Sequence, residues 1–94
     1  MNTSEVLQNV LDERHRQDKK WGEQNHTISV YGHIVGEEFG EVSKAIVEIL
    51  MDEVMYSTMN HELRVELRKE LIQAAATAVA MVECMDRNRY TLAQ

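Results

Sequence analysis

Proline is missing altogether from the 94 residues, and glycine appears four times. Nothing therefore obliges a helix to break, and long helices fit the chain. Cysteine is present once, as Cys84, which excludes an internal disulfide. With so few thiols, and histidines at unsuitable spacing, no zinc pattern forms. "HELRVE" from His61 resembles the opening of a zincin helix, but Val65 stands where the second histidine would be. Long apolar runs are also lacking; none approaches ~18 residues, so no membrane span is expected. The first residues, "MNTSEVLQNVLDERHR", lack a basic start followed by an apolar block, so no signal peptide and a cytoplasmic location are expected. Positive charge is short as well: ten Lys and Arg stand against sixteen Asp and Glu, a net charge of −6. That argues against non-specific binding to nucleic acid, which needs a basic surface. A cation site whose partners carry phosphate remains compatible with it.

What the chain does have is helical periodicity within one domain. Val6, Leu7, Val10 and Leu11 predict helix 1 over about 4 to 20, capped by Thr3 or Ser4. A polar stretch, "WGEQNHT", follows, and Thr27 is placed to cap the next helix. From Ile28 the apolar positions Tyr31, Ile34, Val35, Val42, Ile46, Ile49 and Leu50 hold a 3.6-residue period. The segment "MDEVMYSTMN" leaves open an extension, a short helix or a loop. Asn60 is a good N-cap with Glu62 in the first turn, and helix 3 is expected to run to about Asp86, followed by a fraying tail. Gly32, Gly36 and Gly40 recur every four residues, and "AAATAVA" (Ala74 to Ala80) offers a smooth surface on helix 3. Each mid-helix glycine costs roughly 1 kcal/mol relative to alanine. Close packing of helix 2 on helix 3 is the expected reason for most of that stripe.

The unusual feature is "GEEFGE", Gly36 to Glu41, set inside the most apolar helix. Glu37 and Glu41 are four residues apart, and Glu38 and Glu41 three, so the three carboxylates share one side of the helix. Glu70 and Gln73 repeat the three-residue spacing on helix 3. If the two helices are antiparallel, the pairs face each other across a groove. Oxygen ligands of that kind suit Mg²⁺ or Mn²⁺ rather than zinc. Without a cation the cluster is strained, since two carboxylates ~4 Å apart repel by roughly 4 kcal/mol at an effective dielectric near 20. The plainer alternative is a solvated acidic face. Glu48, Glu53, Glu62 and Glu83 lack such clustering and are expected at the surface, and Glu66 fits either role. Histidines 15, 26, 33 and 61 are expected to be exposed. Met51, Met55 and Met59 are expected in a core or a dimer contact.

"EEFGE" followed by "ELIQ", with "ERHRQDKKWG" upstream and "ELIQAAATAVAMVE" downstream, resembles the EExxE…ExxD pattern of the all-α nucleoside triphosphate pyrophosphohydrolases, the MazG-like group. The resemblance spans nearly the whole chain. It implies an all-α helical bundle completed by self-association, as a homodimer or homotetramer. It also implies Mg²⁺-dependent hydrolysis of a nucleoside triphosphate to the monophosphate and pyrophosphate. Glu38, Glu41 and Glu70 then fall on metal-ligand positions, with Glu37 or Glu38 orienting the water. Gln73 stands where the pattern has an aspartate. It offers a neutral carbonyl oxygen and removes one negative charge, which opens the alternative of a non-catalytic nucleotide- or cation-binding module. Gln17 is a candidate for base recognition on the same resemblance, and Trp21 either stacks on a base or seals the end of the core. Lys20, Lys44, Arg64, Arg68 and Arg87 are the cations available to phosphates.

Overall fold

The structure is a computed structural model describing residues 1–56 and 60–88. It contains three helices, α1 (Thr3–Trp21), α2 (Ile28–Tyr56) and α3 (His61–Asn88), and no strand among the described residues. The ambiguous "MDEVMY" extends α2 to Tyr56; of the tail expected to fray after Asp86, Arg87 and Asn88 continue α3, while residues 57–59 and 89–94 lie outside the described part.

Local chemistry explains each helix start. Asn2, not Thr3 or Ser4, caps α1: its Oδ1 accepts from the Glu5 amide at 2.9 Å. Thr27 caps α2, its Oγ1 accepting from the Val30 amide at 3.2 Å. Asn60 caps α3 in the same way through the Leu63 amide, also at 3.2 Å. Each cap satisfies one of the amides that a helix N-terminus leaves without a partner. Helix α1 ends at Gly22, whose φ of 73° closes the last turn through a 2.8 Å bond to the Asp18 carbonyl. A side chain at that φ would meet its own carbonyl, so glycine is the residue that fits.

Helices α2 and α3 are antiparallel neighbours. Glu53 pairs with Arg64 beside their connection, and Tyr31 and Cys84 interact at the other end. Their shared core holds Tyr31, Val42, Ala45, Ile49, Ala74, Ala76, Thr77 and Cys84. Helix α1 lies parallel to α3 and buries no residue completely. It is held by polar bridges: Arg68 donates to Asn9 at 2.9 Å, Gln17 to Thr77 at 3.4 Å and Arg14 to Glu83 at 2.8 Å.

Two expectations about packing are corrected. Ile46 and Leu50, read as core by their period, are exposed. Gly32, Gly36 and Gly40 do not admit α3: a Cβ at any of them meets nothing within 4 Å. The glycine stripe points away from the helix it was expected to touch, because Tyr31, Val42, Ala45 and Ile49 form the side of α2 that is buried.

Candidate functional site

Helix α2 carries Glu37, Glu38 and Glu41 in two adjacent turns, and α3 carries Glu66 and Glu70 one turn apart. Antiparallel packing brings the two sets into electrostatic reach. Glu38 is half-buried, and its carboxyl is pushed above the ordinary glutamate range by burial, then by the charges of Glu41, Glu13 and Glu37. Glu70 is pushed the same way by burial, by a hydrogen bond with Glu66, and by the charges of Glu66, Glu41 and Glu38. Each effect penalises the anion, the first by removing water and the rest by repulsion. The groups therefore interact as one acidic cluster drawn from all three helices.

Glu41 and Glu37 are exposed on the cluster's outer side. Among the described residues no three His, Cys, Asp or Glu side chains form a ready-made metal cage. The donor set is all oxygen, which is the chemistry Mg²⁺ prefers. Glu13 was not identified from the sequence, because a single glutamate in the polar part of α1 carries no periodic signal. Its own carboxyl is held below the usual range, chiefly by the hydrogen bond from Arg16.

Beside the cluster a groove of about 600 Å³ opens between α1, α3 and the start of α2. Glu13, Glu38 and Gln73 lie at its acidic end, and Trp21, Gln24 and Arg87 are among the residues lining the rest. Gln17 is half-buried in the wall. Its Oε1 accepts from Arg14 at 3.2 Å and its Nε2 donates to Thr77 Oγ1, so the amide's orientation is fixed from both ends. Thr77 in turn donates to the Gln73 carbonyl at 2.9 Å. Trp21 is 62% exposed at the rim with Lys20 stacked over its ring at 4.8 Å, so it does not seal the core. Lys44 lines neither this groove nor the more open one between α1 and α3.

The other candidate cations have partners. Arg64 is paired with Glu53. Arg68 bonds Asn9 and lines the second groove with Arg16, Lys20 and Lys69. Arg87 donates to the Gln24 carbonyl at 3.0 Å and to Asn25, and pairs with Glu23. With Asn88, which donates to Asn25 at 2.9 Å, it clamps the 22–27 loop onto the end of α3. Arg14, also missed in the sequence, is nearly enclosed and bridges Glu83, Asp18 and Gln17. Burial works against its charge, but the two carboxylates outweigh it and raise its pKa. His26, expected at the surface, is half-buried with its ring edge-on to Tyr31 at 5.0 Å. His15, His33 and His61 are exposed as expected.

No family model, no curated protein and no solved structure matches the chain.

Proposed function

We propose that the protein is a Mg²⁺-dependent nucleoside triphosphate pyrophosphohydrolase, cytoplasmic and self-associating. The observation that carries this reading is the acidic cluster that Glu38 and Glu41 on α2 form with Glu70 on α3, two of them disfavoured as anions, with Glu38 lining a groove of about 600 Å³. A bound cation supplies charge neutralisation there and lowers the pKa of water. Glu38, Glu41 and Glu70 would hold it through carboxylate oxygens and Gln73 through its amide oxygen. Gln17 presents a fixed amide to the base, and Trp21 stacks on it from the rim. Lys20 meets phosphate charge; Lys44 does so only from outside the groove. Glu37 or Glu38 orients a water for addition to the α-phosphorus and accepts its proton. The bond from the α-phosphorus to the bridging oxygen breaks, and pyrophosphate leaves with that oxygen.

The second reading keeps the groove and drops the chemistry. Gln73 lines the groove where the resemblance has aspartate, and a neutral donor there favours a nucleotide- or cation-binding module without turnover. Pyrophosphate release from a panel of nucleoside triphosphates with Mg²⁺, Mn²⁺ or no metal separates the two. Metal-dependent release that Glu38→Gln and Glu70→Gln abolish supports the enzyme. Nucleotide binding without release supports the module, and neither result removes both.

A further inference from the structure

Helix α2 has a second face that none of the described residues covers. At ~100° per residue, Ser29, Gly32, Gly36, Phe39, Gly40, Ser43, Ile46, Val47, Leu50 and Val54 fall within about 120° of its circumference. No charged residue lies in that sector. All ten are exposed, with Phe39 at 50%, Leu50 at 54% and Val54 at 80%. The face is divided along its length: apart from Phe39 and the half-buried Ile28 at its start, small residues occupy the half before Ser43, and large aliphatic ones the half after it. Among the described residues nothing lies within 4 Å of a Cβ placed at Gly32, Gly36 or Gly40, so the small half has room for a neighbour.

We infer that this face binds α2 of a second copy, antiparallel, with the two-fold axis at Ser43. That register sets Gly32 opposite Val54 of the other copy, Gly36 opposite Leu50, Gly40 opposite Ile46 and Phe39 opposite Val47. Every large aliphatic side chain in the second half meets a residue of the first, three of them glycines. Segregation of small and large residues about one point makes the face its own complement, which an unrelated partner would not require. Pairing over about 38 Å of helix, in a strip roughly 10–12 Å wide, covers on the order of 900 Å² across both copies, near the ~1,000 Å² of a biological interface. An anionic membrane surface is the poorer occupant, because the rest of α2 bears Glu37, Glu38, Glu41, Glu48, Asp52 and Glu53 against Lys44 alone.

The pairing deepens the self-association in the reading above but does not depend on the chemistry; a chain that releases no pyrophosphate can still pair this way. The test is crosslinking of the full chain under mild oxidation. Ser43→Cys places two thiols together at the axis and should give a covalent dimer in high yield. Ser29→Cys places them about 42 Å apart and should give none. Wild type is the control, since its Cys84 is fully buried. Gly36→Leu, which fills space open in the single chain but occupied by Leu50 of the other copy, should weaken the dimer at least tenfold without lowering helix content. Crosslinks at both positions mean parallel pairing and overturn the register. A chain that stays monomeric, or a dimer with no crosslink at Ser43→Cys, overturns the interface.

Discussion

Glu38 keeps its proton to higher pH than a free glutamate because burial and the carboxylates of Glu41, Glu13 and Glu37 all oppose its charge. Glu70 behaves alike. A group whose pKa is raised on folding binds more proton in the native state, so stability is greatest below the ordinary carboxylate pKa and falls as pH rises through the raised one. Metal-free protein should therefore lose melting temperature as pH rises out of the ordinary carboxylate range, and Glu38→Gln should flatten that loss. Glu13, with its lowered pKa, works in the opposite sense and only at acid pH, where protonation releases Arg16. Melts across that range, with and without Mg²⁺, check both signs. Glu38→Gln should also shrink the Mg²⁺-induced rise, and an undiminished rise would put the cation elsewhere. At Gln73 the charge runs the other way. Gln73→Asp adds an anion one turn from Glu70, so it should lower metal-free stability and increase the Mg²⁺ shift. A surface exchange of this kind changes stability by no more than about 0.5 kcal/mol, and melts matching wild type in both conditions would place Gln73 outside the site.

Helix α1 buries no residue completely, so its attachment rests on polar bridges, and Arg14 is the most enclosed of them. Arg14→Ala leaves Glu83 and Asp18 without their counter-ion and frees the Gln17 amide. The expected loss is about 1.5–3 kcal/mol, the range for hydrogen bonds to charged groups, with faster amide exchange concentrated in α1. Exchange that rises equally in all three helices would show that α1 is not a separable unit. The same helix shows where sequence reading stops. Thr27 and Asn60 were legible as caps because each immediately precedes a helix whose first apolar positions, Ile28 and Leu63, follow within three residues. The α1 cap was displaced by one or two residues, since Asn2, Thr3 and Ser4 are all capable of capping. Glu38 and Glu41 stood out through spacing, whereas Glu13 and Arg14 take their roles from what lies across a helix boundary. The glycine stripe was legible as a demand for close approach, but period alone does not say from which side.

Among the described residues the buried hydrophobic side chains are few and mostly small: Ala45, Ala74, Ala76 and Cys84 accompany Tyr31, Val42 and Ile49. Phe39, Val47, Leu50 and Val54 are meanwhile left in water. A chain of this length gains little from such a core, since each fully buried large aliphatic side chain contributes about 1.5–3 kcal/mol and alanine far less. The apolar period of α2 was legible in the sequence. That it serves two faces was not, because a 3.6-residue period with extra apolar positions describes both a wide core stripe and two opposed ones. If the second face is covered by another copy, folding and association are one equilibrium. Each tenfold increase in protein concentration then adds about 1.4 kcal/mol to the folded dimer. For two chains of this size that is a rise of roughly 3–6 °C in melting temperature per decade. Reversible melts over two decades of concentration, with Gly36→Leu alongside, measure it directly. The mutant should melt lower than wild type at the highest concentration and show less dependence on concentration if it populates folded monomer. A melting temperature that stays constant over the range would show that the three helices are sufficient alone, with the apolar face of α2 stable in water.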